Sequence, residues 1–217
     1  MSDKPPKTTD DSSSSEAAER IKYWDKVYGT LDPPKSANVG LFLAATLPYF
    51  LYNHILPNID DHSVFTVKEE GGTAAFEHRI KLLFSLQILP AVVSFVYIWV
   101  TGSVRIPYSP AAAHDPAAMY AANLLPLQVH AANRAFANTL EQYLFLWTTS
   151  CALAVQLPSE QLMILPTLYI TWSICRILYV IGYVYGGGSG RMLGFPGTVM
   201  PTTAGLFYAI YLLLIRS

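Results

Sequence analysis

Five apolar stretches, each near the 20 or so residues a helix needs to cross a bilayer, decide what this chain can fold into. They run at about 37–56, 80–100, 127–155, 161–185 and 198–215. Runs of that length without period-2 alternation predict helices rather than strands, and no solenoid-type repeat accompanies them. Charge placement agrees. Of 29 acidic and basic side chains, 13 lie in the first 35 residues, which leaves 16 for the other 182. Charged residues are 13% of the chain and hydrophobic residues 52%, too few charges to cover a soluble domain. The predicted fold class is therefore all-α, an integral membrane helical bundle. A net charge of −1 excludes a strongly basic nucleic-acid binder, so no nucleic-acid partner is expected. Cys151 and Cys175 both lie inside apolar runs, which excludes a disulfide scaffold and a cysteine-rich zinc site.

Residues 1–36 form a polar tail with an acidic and serine-rich run at 10–15. It lacks the apolar core of a signal peptide and the arginine-rich look of a transit peptide. Its first half is expected to be disordered, and Ile21, Tyr23, Trp24, Val27 and Tyr28 predict a short interfacial helix. Ser36 is placed to cap the first span, and Pro90 predicts a kink in the second. The Leu157–Glu160 segment reads as a tight turn, and the glycine-rich run 186–190 as a flexible loop. Five spans put Lys4, Lys7, Arg20, Lys22, Lys26, Lys35, Arg105 and Arg191 on one side of the membrane. Lys68, Arg79, Lys81 and Arg216 fall on the other, and eight against four predicts a cytosolic N-terminus. With no cleavable signal in view, the endoplasmic reticulum is the expected membrane, and membrane lipids are the expected surroundings.

A charge at membrane depth costs roughly 2.5–3.5 kcal/mol on the lenient insertion scale, so each one needs a reason. Within the spans these are Arg134, Glu141 and Arg176. Arg134, Asn138 and Glu141 fall at about 0°, +40° and −20° around the third helix, a single face. On the fourth, Arg176, Tyr179 and Tyr183 fall at about 0°, −60° and −20°, again one face. A tight turn between the two makes them antiparallel neighbours, and their polar stripes then meet in one pocket toward the cytosolic side. The plain alternative is that Glu141 pairs with Arg176 or Arg134 and only fixes helix packing. Two arginines against one carboxylate, with Arg191 above them, suit a small anionic ligand better.

These residues resemble those of a known family, the membrane-associated proteins in eicosanoid and glutathione metabolism (MAPEG). Arg134-Ala-Phe-Ala-Asn138-Thr-Leu-Glu141 is similar to that family's R-x-x-x-N-x-x-E pattern. Arg176-Ile-Leu-Tyr179-Val-Ile-Gly182-Tyr183 is similar to its R-x-x-Y-x-x-G-Y. Arg191-Met-Leu-Gly-Phe195 resembles the loop arginine ahead of the last span. The resemblance covers about 78–217 as a four-helix transmembrane domain. It leaves 37–57 as an extra transmembrane helix, which is similar to the longer, mattrin-like relatives.

The resemblance implies a homotrimer that binds glutathione between subunits near the cytosolic face. It implies that Arg134, Asn138, Glu141, Arg176, Tyr179 and Tyr183 hold glutathione, and that Arg191 is the catalytic group over the sulfur. A cation within reach of a thiol favours its thiolate, the nucleophilic form. Phe136 and Gln142 stand where the eicosanoid branch has a glutamine and a tyrosine, which argues against an eicosanoid synthase. Two function classes follow. One is a membrane-bound glutathione transferase or peroxidase acting on lipophilic electrophiles or hydroperoxides. The other is a non-catalytic membrane protein that binds glutathione or a lipid and modulates partner proteins.

Overall fold

The computed structural model describes residues 33–58, 73–105 and 127–216. The tail with its expected interfacial helix at 21–28, and the segments carrying Lys68 and the loop 106–126, lie outside the described residues. Among the described residues every regular element is helical. These are α1 Pro33–Phe50, α2 Thr73–Ser85, α3 Ile88–Arg105, α4 Leu127–Gln156, α5 Ile164–Gly190 and α6 Phe195–Arg216. Helix α1 continues through one wider turn, Leu51–Ile55, and a 3-10 turn, Leu56–Asn58. It starts at Pro33, so Ser36 lies within its first turn instead of capping it. Proline is favoured at a helix start, where its missing N–H would have had no partner.

The second span is two helices. The chain breaks at Leu86–Gln87, and Pro90 supplies the reason. Its ring collides with the carbonyl four residues earlier, that of Leu86, and it has no N–H to donate. Leu86 instead accepts the Leu89 N–H at 3.2 Å. Gln87 fills the break. Its amide donates to the Tyr169 hydroxyl at 2.6 Å and to the Leu83 carbonyl at 3.0 Å. Its own oxygen accepts from the Tyr143 hydroxyl at 2.8 Å. One side chain thus ties the α2–α3 junction to α4 and α5.

Helix α5 is hydrophobic all round and takes the centre of the bundle. It is 67% buried over its span, against 22% for α1, the α2–α3 pair and α6. Helix α4 lies along α5 and also touches α2, α3 and α6. Asn138 on α4 and Arg176 on α5 are hydrogen-bonded at 3.0 Å, and each stands nineteen residues from Leu157, which fixes the two helices as an antiparallel hairpin. The core between them holds Leu146, Leu153, Leu165, Tyr169 and Trp172. Helix α1 packs on α5, on α6 and on the turn that joins them. Phe84, Phe95, Trp99, Phe207 and Leu214 point outward, an apolar exterior suited to lipid.

Among the described residues four spans are long and apolar enough to cross a membrane: Ala37–Asn58, Thr73–Val104, Ser159–Gly187 and Arg191–Ile215. Helix α4 has the length, 30 residues or about 45 Å, but its first half is too polar to qualify on composition. Its far end is closed by a side chain. The Arg79 guanidinium donates to the carbonyls of Ala154 at 2.9 Å and Leu157 at 2.6 Å, groups that the last turn leaves without helical partners. Arg79→Met should lower stability by about 1–3 kcal/mol, the cost of stranding such acceptors in an apolar setting. Thermal unfolding in detergent should show a lower midpoint, and an unchanged midpoint would mean that other groups satisfy those carbonyls.

The glycine-rich run is not an open loop. Helix α5 extends to Gly190 and reverses at Gly187, whose φ of 62° and ψ of −148° only glycine adopts without strain. The reversal lays Gly190 on Gly182 so closely that a Cβ on either would overlap the other's carbonyl. Glycine here serves close backbone approach instead of flexibility.

Candidate functional site

The two polar stripes meet where α4 and α5 run side by side. Arg176 is wholly buried, a position a guanidinium holds only with partners. Its Nη1 donates to Asn138 Oδ1 at 3.0 Å, and Asn138 Nδ2 in turn donates to Glu141 Oε2 at 3.4 Å. The guanidinium lies over two rings, 4.8 Å from the Tyr179 centroid and 5.6 Å from that of Trp172. Cation–π attraction strengthens when both groups are out of water. Nε and Nη2 of Arg176 are also buried and meet no acceptor among the described residues. Two orphaned charge-bearing donors in a protein interior are costly, and an anion would satisfy both.

Tyr179 is buried below this group and Tyr183 is half-buried, with ring centroids 5.7 Å apart. Phe195, at the start of α6, packs tilted against Tyr179 with ring centroids 6.2 Å apart. Arg134 and Glu141 are exposed on α4, and Arg191 is exposed in the 3-10 turn Arg191–Leu193. No salt bridge joins Glu141 to Arg134 or Arg176 among the described residues. The plain packing alternative therefore lacks its expected ion pair, and the cations remain in surplus over the carboxylate.

A family model, described as the MAPEG family, matches residues 84–211, the stretch that carries these groups. The chain belongs to the MAPEG family. No curated protein and no solved structure matches it. Membership makes this a membrane protein of the glutathione and eicosanoid metabolism type, and MAPEG proteins generally involve glutathione. Helix α1 lies outside the matched residues.

Within this MAPEG bundle, Asn138, Glu141, Arg176, Tyr179 and Tyr183 are brought together as their spacing predicts. Arg134 and Arg191 flank them without direct contact. Three site groups carried no such prediction. The Tyr97 hydroxyl of α3 donates to the Arg176 backbone carbonyl at 3.0 Å, and its ring sits 6.4 Å from Phe136. Nothing local to Tyr97 marks it, because its partner is 79 residues away. Trp172 does carry a signal, since it precedes Arg176 by one helical turn on the same helix. Phe195 is legible only as part of the Arg191 motif.

Proposed function

We propose that this MAPEG protein is a glutathione-dependent transferase or peroxidase acting on lipophilic electrophiles or hydroperoxides. The observation that carries the reading is the buried Arg176, with two donors unsatisfied by protein and an asparagine and a carboxylate beside it. Glutathione fits this donor set. It brings two carboxylates for Arg176 and Arg134, an ammonium for Glu141 and amide groups for Asn138. When bound it supplies a thiol. The chain's own residues then have separable tasks. Arg176 and Arg134 bind and orient, Tyr179 and Tyr183 exclude water from one wall, and Arg191 holds negative charge at the sulfur. The lipid-facing exterior admits an apolar second substrate.

The family relationship supports a homotrimer, and the exposure of Arg134 and Glu141 on the flank of α4 leaves room for a neighbouring subunit to complete the site. The basic-residue asymmetry supports a cytosolic N-terminus, in the endoplasmic reticulum membrane.

Titrating the purified protein with glutathione while following thiolate absorbance in the ultraviolet tests the reading. Saturable absorbance at neutral pH is expected. Arg134→Ala should weaken affinity at least about tenfold, since a neighbouring subunit that covers the site would desolvate its pair with a ligand carboxylate, and losing one partner of such a pair costs about 2–5 kcal/mol. Unchanged affinity in a folded variant would remove Arg134 from the binding site. Saturable binding without thiolate absorbance would favour the non-catalytic reading, a glutathione- or lipid-binding protein that modulates partners.

A further inference from the structure

We propose that α1, which lies wholly outside the family-matched residues, is a positioning element for Arg191, and that Gly40 is the residue through which it acts. The inference rests on the glutathione reading above for what Arg191 does, but its geometry stands independently. The turn Arg191–Leu193 is held from two sides. On one side it rests on α5. Gly190 lies on Gly182, and a Cβ at Gly194 would come within 3.0 Å of the Tyr179 Cα and overlap the Cys175 carbonyl. On the other side it meets α1. A Cβ at Gly40 would overlap the carbonyl oxygen of Met192 and stand 3.2 Å from the Pro196 ring. One turn further along α1, Ala44 is buried, and a Cβ at Gly197 would come within 4.0 Å of its Cα.

Residues spaced four apart share a helix face, so Gly40 and Ala44 form one small-residue surface pressed onto the 192–197 backbone. The obstacle at Gly40 is main chain, which cannot rotate aside like a side chain. A larger residue there must push α1 off or displace Met192, the residue next to Arg191. Arg191 itself is exposed, and no side-chain hydrogen bond holds it among the described residues. The backbone it leaves from fixes where its Cβ stands, and so which rotamers can bring its guanidinium to the site. Fixing that backbone between α5 and α1 supplies the support that a preorganised charge requires. Gly40 touches neither Arg176 nor Arg134, so affinity for the rest of glutathione should be insulated from it.

The test uses full-length Gly40→Leu and Gly40→Ala, with two readouts. Hydrogen exchange of backbone amides at 190–194 reports the clamp without any ligand. Gly40→Leu should speed exchange there at least tenfold while the Leu146–Leu153 amides of α4 stay protected, and Gly40→Ala should give a smaller change of the same sign. Thiolate absorbance of bound glutathione reports the aim of Arg191. It should fall at least threefold in Gly40→Leu while glutathione affinity changes less than threefold. Should Gly40→Leu not fold, Gly40→Ala carries both readouts. Unchanged exchange at 190–194 in a folded variant overturns the clamp. Faster exchange with full thiolate absorbance overturns its role in positioning Arg191. Wild-type protein that binds no glutathione would instead sink the functional reading, and exchange would still decide whether α1 holds the turn.

Discussion

Arg176→Met should melt within about 5 °C of the wild type and bind glutathione at least a hundredfold more weakly. The two halves of this result come from opposite sides of one side chain. Methionine removes the hydrogen bond to Asn138 and the ring contacts with Tyr179 and Trp172, which destabilises. It also removes Nε and Nη2, two buried donors without protein acceptors, which stabilises. Each such orphan costs about 1–3 kcal/mol, so the terms largely offset. Binding has no such compensation. A ligand carboxylate that loses its only buried guanidinium forfeits about 2–5 kcal/mol, and a hundredfold corresponds to about 2.7. Thermal unfolding and glutathione titration on the same preparation decide the matter. A large fall in melting temperature with unchanged affinity would make Arg176 a structural group.

Arg191→Ala should act almost in reverse, depressing turnover roughly a hundredfold while glutathione affinity falls less than threefold. Removing one preorganised donor from developing charge typically costs about that much in rate. The bound thiol should titrate at least about one pKa unit higher, since each unit corresponds to about 1.4 kcal/mol of thiolate stabilisation. The sign is fixed: a cation favours the charged form, so its loss moves ionisation to higher pH. The alkaline-going limb of the rate profile should move with it. If turnover falls but the thiol titration stays in place, Arg191 contacts the second substrate and not the sulfur.

Much of this was readable from residues alone. The hairpin of α4 and α5 follows from two apolar runs joined by Leu157–Glu160, and the break ahead of Pro90 follows from proline's missing donor. A helical wheel groups Arg134, Asn138 and Glu141 on one face, but it does not say how deep that face is covered. Arg176 is buried and Arg134 is exposed because neighbours, not helical phase, decide solvent access. The glycine run misleads for the same reason. Its composition permits both flexibility and close approach, and the reversal at Gly187 with Gly190 laid on Gly182 distinguishes them. Tyr97 and Gln87 act through partners on other helices, and a single sequence holds no mark of those pairings.

The overshoot of α4 has a kinetic consequence. From Asn138 to the end of the helix at Gln156 the rise is about 27 Å, close to the roughly 30 Å of a hydrocarbon layer. With the hydrocarbon layer starting at the Gln156 end, the Asn138–Arg176 level would lie near its opposite border, between two solvents. A peptide thiol is counted there per litre of water, whereas an apolar electrophile is counted per mole of lipid. On the glutathione transferase reading, adding vesicles at fixed total electrophile should therefore slow the reaction by surface dilution, and adding buffer that carries the same glutathione concentration, at a fixed electrophile-to-lipid ratio, should not.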